Sequence, residues 1–302
     1  MNRLRDQYDA LLLDLDGTLY RGPEVIEGAP KALAPEGDSA QRLVYVTNNA
    51  ARGPGAVAHH LDELGYPATA DDVVTSAQAA ARMLSVRLSP GDKVLVVGTD
   101  DLAAEVKAVG LDPIRRFGDV PPSAVVQGHS PTTAWPDLAE AAYALRVGAL
   151  WIAANTDRTL PNERGLAPGN GSMVAALATA SDREPLVAGK PYAPLMEDAI
   201  ERAGTRRALV VGDRLDTDIE GANGLGLDSL LVLTGVSTLD EVIGAPAARI
   251  PTYIAATLDA LNDVVLNDVV LAEAAEPADI AELLRQHPGR AVRVRAADSE
   301  IR

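Results

Sequence analysis

Short unbroken apolar runs, separated by polar segments rich in Gly and Pro, set the rhythm of this chain. The first is Ala10–Leu13, and similar runs occupy residues 42–47, 93–98, 124–127, 149–153, 208–213, 229–233 and 253–255. Runs without alternation read as strands buried on both faces, as in parallel sheets. Between them lie stretches with helical character at residues 56–64, 76–86, 135–145, 172–180 and 192–203, with further short helices after residues 99–101 and toward Ala222. Strands alternating with helices predict an α/β fold. A helix also starts at Ala29, but Pro35 and Gly37 break it. A second domain is expected to begin near Gly91, where a β-α-β-β-α-β alternation runs through residue 180. Its elements are joined by polar loops around Asn155-Thr156-Asp157, Pro161 and Gly165, and Pro168-Gly169-Asn170-Gly171. Past about residue 263 the pattern changes. Leu-Asn-Asp-Val-Val occurs twice, at 261–265 and 266–270, before a short helix over 278–285 and a short strand over 291–295.

The polar residues that end the runs change the picture. The first strand stops at Asp14-Leu15-Asp16-Gly17-Thr18, another at Thr47-Asn48-Asn49, and a third at Gly212-Asp213. In open α/β sheets chemistry lies outside the carboxyl ends of the strands. In a continued strand Asp14 and Asp16 share one face. Each motif alone also suits a turn or a helix cap. Lys190, in Gly189-Lys190-Pro191, stands just before a helix, where its charge opposes the helix dipole unless an anion intervenes. Asp14, Asp16 and Asp213 form a hard-oxygen set suited to Mg²⁺. A carboxylate beside such an ion can attack phosphorus, and an acid two residues on can protonate the leaving alkoxide. Thr47 and Lys190 would supply donors to the phosphoryl oxygens.

Length and charge set the bounds. A chain of 302 residues favours two domains. With one Phe, two Trp and seven Tyr, its core is aliphatic. The net charge of −16 argues against nucleic acid or an anionic membrane as partner. It also means that an anionic substrate needs local positive charge. The absence of cysteine excludes disulfides and thiolate metal sites. No apolar stretch resembles a signal peptide or a membrane span, so the protein is expected in the cytoplasm. His59, His60, His129 and His287 lack metal-ligand spacing, and no Gly-x4-Gly-Lys-[Ser/Thr] stretch occurs.

Asp14-Leu15-Asp16-Gly17-Thr18, Thr47, Lys190 and Gly212-Asp213 with Asp218 resemble, in order, the four motifs of the haloacid dehalogenase-like phosphatases. The surrounding Val46-Thr47-Asn48-Asn49 and Gly189-Lys190-Pro191 look like the NagD or 4-nitrophenylphosphatase branch. The resemblance implies a Rossmann-like parallel-sheet core, residues 1–82 and 187–265, with an inserted α/β cap of the C2 type at 83–186. Residues 266–302 are left as a C-terminal extension. By position, Asp14 would be the nucleophile and Asp16 the acid/base. Asp14, the Asp16 main-chain carbonyl and Asp213 would hold Mg²⁺. Thr47, Asn48 and Lys190 would bind phosphate, with Asp218 orienting Lys190 or the metal's waters. Asn155 and Asp157 are the cap candidates for substrate hydroxyls. The substrate would be a small phosphate ester. Glycerol 3-phosphate leads on the likeness of Gly128-His129-Ser130-Pro131-Thr132-Thr133, ahead of 2-phosphoglycolate or a broad range. A homodimer through the cap, transfer to an alcohol instead of water, and a sensor without turnover stay open. The family usually runs a helix where residues 34–41 are broken, so looser packing behind Asp14 is expected.

Overall fold

The computed structural model describes residues 3–34, 41–162, 164–271 and 277–296. The broken segment after Ala34 therefore falls largely outside the described residues. The described residues group into two compact units. One draws on Met1–Val46, His59–Asp72 and Ala199–Arg302, the other on Thr47–Ala58 and Val73–Asp198. The second is wider than the 83–186 segment, because flanking residues fold with it.

In the first unit the strand order is Arg42–Thr47, Ala10–Leu13, Ala208–Gly212, Asp228–Val232, Tyr253–Ala255, all parallel. Ala10–Leu13 and Ala208–Gly212 are buried at every position, which is why they read as unbroken apolar runs. From Ala10–Leu13 the chain goes one way to Arg42–Thr47 and later the other way to Ala208–Gly212. This reversal makes the carboxyl end of Ala10–Leu13 a topological switch point, where open sheets bind ligands.

The C-terminal segment extends this sheet. Val292–Ala296 pairs antiparallel with Tyr253–Ala255, and Leu266–Leu271 pairs parallel with Val292–Ala296. The helix Pro277–Gln286 lays Ile280 and Leu284 against Leu231, Val242, Ile254 and Val292. Ile280→Ala is therefore expected to cost about 2–5 kcal/mol, as buried large-to-small changes do. A lowered urea midpoint would show it. An unchanged midpoint would mean that this helix does not belong to the cooperative core.

The second unit carries five parallel strands in the order Leu186–Val187, Leu150–Ala153, Ala124–Gln127, Lys93–Val97, Asp112–Ile114. Leu186–Val187 and Asp112–Ile114 are too short to be seen as apolar runs. The helices Trp135–Arg146 and Asn170–Ser181 cover one face, burying Val125, Ala141, Leu145, Trp151, Val174 and Leu177. The polar loop around Pro161 and Gly165 is instead an antiparallel hairpin, Thr159–Asn162 with Gly165–Pro168. Helix starts follow their caps: Thr75 and Gln78 form a reciprocal capping box, and Thr99 accepts from the Leu102 N–H. No helix among the described residues is long and apolar enough to cross a membrane.

Candidate active site

In the first unit Asp14 and Asp213 leave neighbouring strands at the same edge. The Asp14 N–H donates to the Val211 carbonyl at 2.9 Å, continuing the ladder for one more residue. Gly17 then turns the chain with φ +87°, a left-handed value that glycine adopts without strain. The turn closes through Gly17 N–H to Tyr20 O at 2.7 Å and Leu19 N–H to Leu15 O at 2.8 Å. Buried Tyr66 pins it by donating to the Leu19 carbonyl at 2.7 Å.

Asp213 is fully buried. It lies in a cradle of two glycines: a Cβ on Gly17 would come within 2.6 Å of its Cγ, and one on Gly235 would overlap its carboxylate. The Val236 N–H donates to Asp213 Oδ2 at 2.7 Å, and Thr234 Oγ1 donates to the Gly17 carbonyl at 2.7 Å. The loop 234–236 thus ties the Gly17 turn and Asp213 together.

Asp218 reaches this group by an unusual turn. Leu215–Ile219 is wound as a π-helix, with the Ile219 N–H bonded to Arg214 O at 3.2 Å. The wide turn brings Asp218 back against Gly212, where a side chain would collide with it. Its Oδ2 accepts from the Arg214 N–H at 3.1 Å. Asp14, Asp213 and Asp218 each offer a carboxylate oxygen within 4.8 Å of the others. Two ionised carboxylates 4.8 Å apart, the largest separation in the group, would repel by about 3.5 kcal/mol at an effective dielectric near 20. An all-carboxylate group of this kind suits a hard divalent cation. Asp218, expected to orient Lys190 or waters, is thus a side-chain member of the cluster, and the π turn that brings it there has no signature in hydropathy.

Asp16 is not a side-chain member of the cluster. It is exposed, but the protein around it desolvates its carboxyl and raises its pKa; a hydrogen bond from the Gly22 backbone opposes the shift. A carboxyl held toward its protonated form suits an acid catalyst.

In the second unit Thr47, Asn48, Asn155, Asp157 and Lys190 lie close together. Thr47 is buried, and its Oγ1 accepts from the Asn49 N–H at 3.1 Å. The Asn48 amide is spent on protein: Oδ1 accepts from the Lys190 N–H at 2.7 Å, and Nδ2 donates to Lys190 O at 3.1 Å and to Asp157 Oδ1 at 3.2 Å. Both hydrogens of that amide are thereby used, so its side chain has no donor left for phosphate. Asn155 is buried, donates to Asn48 O at 2.7 Å and accepts from the Asp157 N–H at 3.2 Å. These two bonds tie the loop after Ala153 to the end of the strand Arg42–Thr47. Lys190, 3% exposed, precedes a cis peptide to Pro191.

The comparisons with known proteins agree with this geometry. Residues 11–112 match the family model described as haloacid dehalogenase-like hydrolase, and residues 187–261 match a related hydrolase model. The chain is 55% identical over 277 residues to D-glycerol 3-phosphate phosphatase of Mycobacterium tuberculosis, covering 92% of this chain and 76% of that protein. A crystal structure of the M. tuberculosis glycerol phosphate phosphatase in complex with magnesium superposes with a TM-score of 0.85 at 48% identity, covering 99% and 96% of the two chains. A single mutant of the thermostable NPPase of Geobacillus stearothermophilus gives 0.73 at 32% identity, covering 84% and 97%. The chain belongs to the haloacid dehalogenase-like hydrolases, within their branch of phosphomonoester hydrolases.

Proposed function

We infer that the protein hydrolyses a small phosphate monoester, glycerol 3-phosphate before others, with Mg²⁺ and through an aspartyl-phosphate. The observation that carries this reading is the carboxylate group of Asp14, Asp213 and Asp218 at the switch point, with Asp16 two residues beyond Asp14. An Asp14 carboxylate oxygen attacks phosphorus, and the bond from phosphorus to the ester oxygen breaks. Asp16 gives its proton to the leaving alkoxide. The Asp16 carboxylate then takes a proton from the water that attacks the aspartyl-phosphate, which releases phosphate and restores Asp14. The Thr47 hydroxyl and the Lys190 ammonium stabilise the phosphoryl oxygens. Asp14, the Asp16 carbonyl and Asp213 would hold Mg²⁺, with Asp218 beside them, and the bound ion would neutralise charge on the transferring group.

Residues 83–186 act in this reading as the cap that selects substrate. The naming of the 55% identical relative supports glycerol 3-phosphate as substrate. The likeness to the NPPase keeps a broader range as the second reading, with 2-phosphoglycolate and sugar phosphates as the competing esters. A cytoplasmic enzyme, dimeric through its cap, is consistent with both.

Phosphate release across a panel of esters, with Mg²⁺ and with EDTA, decides the substrate. The role of Asp16 is read in the same panel. Asp16→Asn should lower turnover of glycerol 3-phosphate by about 10²–10⁴-fold, the usual size of general acid catalysis. It should slow formation of the intermediate from 4-nitrophenyl phosphate far less, because that leaving group departs without a proton. A pre-steady-state burst of nitrophenol isolates this step from the later hydrolysis. Equal losses for both esters in the first step would remove Asp16 from the acid role.

A further inference from the structure

We propose that Asn48 is a positioning residue for Lys190, setting the place of its ammonium by gripping its backbone. This rests on the reading of Lys190 as a phosphate-binding cation. The observation is a two-point hold within the second unit. Asn48 Oδ1 accepts from the Lys190 N–H at 2.7 Å, while Asn48 Nδ2 donates to the Lys190 carbonyl at 3.1 Å. One planar amide pairs with both main-chain groups of one residue, much as a neighbouring strand would. Such a hold fixes the Lys190 Cα and the direction in which its side chain departs.

The amide has one orientation that satisfies its neighbours. An N–H needs an acceptor, and a carbonyl and a carboxylate need donors. Asp157, with its two oxygens 3.2 and 3.4 Å from Asn48 Nδ2, therefore selects the same orientation as Lys190 does. A rotation of the amide by half a turn would set oxygen against Asp157 and against the Lys190 carbonyl.

The grip is itself held. The Asn48 carbonyl accepts from Ser76 Oγ at 2.5 Å and from Asn155 Nδ2 at 2.7 Å. Asn170 Nδ2 donates to the Asn155 carbonyl at 2.6 Å, and the Gly171 N–H donates to the Asp157 carbonyl at 2.8 Å. Asn155, Asn170 and Lys190 are 4%, 2% and 3% exposed, so a member left unpaired would be costly. Gly189 permits the close approach, since a Cβ there would stand 2.5 Å from Asn48 Oδ1.

The test is calorimetric titration of orthovanadate, with Mg²⁺ present, into wild type, Lys190→Ala, Asn48→Ala and the double variant. Asn48→Ala should weaken vanadate about tenfold, comparable with impairing one charge-assisted hydrogen bond. The double variant should match Lys190→Ala within about twofold, since a residue acting through another adds nothing once that one is gone. Additive losses, or an unchanged Asn48→Ala beside a weakened Lys190→Ala, overturn the positioning role alone. If Lys190→Ala itself binds vanadate as wild type does, the reading of Lys190 falls and the positioning role with it.

A second variant covers the case in which Asn48→Ala does not fold. In Asn48→Asp the introduced carboxyl can donate to the Lys190 carbonyl only when protonated. Its activity, as a ratio to wild type at each pH, should rise toward acid pH. A flat ratio in a folded Asn48→Asp overturns the proposal.

Discussion

Asp14→Asn is expected to abolish phosphate release while leaving the fold intact, with turnover falling by about 10⁴-fold or more, as losses of catalytic nucleophiles do. The carboxamide has nearly the shape of the carboxylate, and the backbone of residue 14 is already tied to the Val211 carbonyl at 2.9 Å. What disappears is the anionic oxygen proposed to form the bond to phosphorus. Removing one of three carboxylates within 4.8 Å of each other also lessens their mutual repulsion, so the melting temperature without Mg²⁺ should stay level or rise. Steady-state assays with several esters, paired with thermal melts, check both halves. Near-wild-type turnover in a folded Asp14→Asn protein would show that another group attacks phosphorus.

Gly235→Ala should shift the Mg²⁺ dependence of activity strongly upward through a single methyl group that touches no substrate. A Cβ at this position would overlap the Asp213 carboxylate, which has no room to retreat. Its other flank is Gly17, its Oδ2 is bonded to the Val236 N–H at 2.7 Å, and it is fully buried. Either Asp213 moves out of the carboxylate group or the loop 234–236 lifts away and gives up the bond from Thr234 to the Gly17 carbonyl. Both routes disturb the same set of oxygens. The expected result is a rise of about 10–100-fold in the Mg²⁺ concentration needed for half-maximal activity, as when supporting partners of metal ligands are lost. Overpacking should add about 1–3 kcal/mol of destabilisation. Titrating Mg²⁺ against phosphate release in the variant reads the first effect, and a urea melt reads the second. An unchanged Mg²⁺ dependence would separate Asp213 from metal binding.

Much of the fold was legible because burial on both faces leaves a mark that sequence carries directly. Ala10–Leu13 and Ala208–Gly212 contain no polar side chain, and the first charged residue after each run marks the sheet edge. The identical pentapeptides show where such legibility stops. Residues 261–265 begin at the end of the 3-10 helix Leu258–Asn262, while residues 266–270 lie in the strand Leu266–Leu271. Leu-Asn-Asp-Val-Val has no strong preference of its own; the free edge of Val292–Ala296 recruits the second copy as a strand.

By itself, then, the sequence determined the class of fold, the strand ends at which the carboxylates stand and the residue types offered there, since these follow from local composition and from the order of the elements. Only the tertiary structure decided how those residues share the work. Asp218 joins Asp14 and Asp213 because a π-helical turn and the bare Cα of Gly212 let it return to the sheet edge. The side-chain amides of Asn48 and Asn155 act as supports because they meet partners more than a hundred residues away in the chain. Hydrogen-bonding capacity is a property of a residue, but the partner that consumes it is set by packing between distant segments.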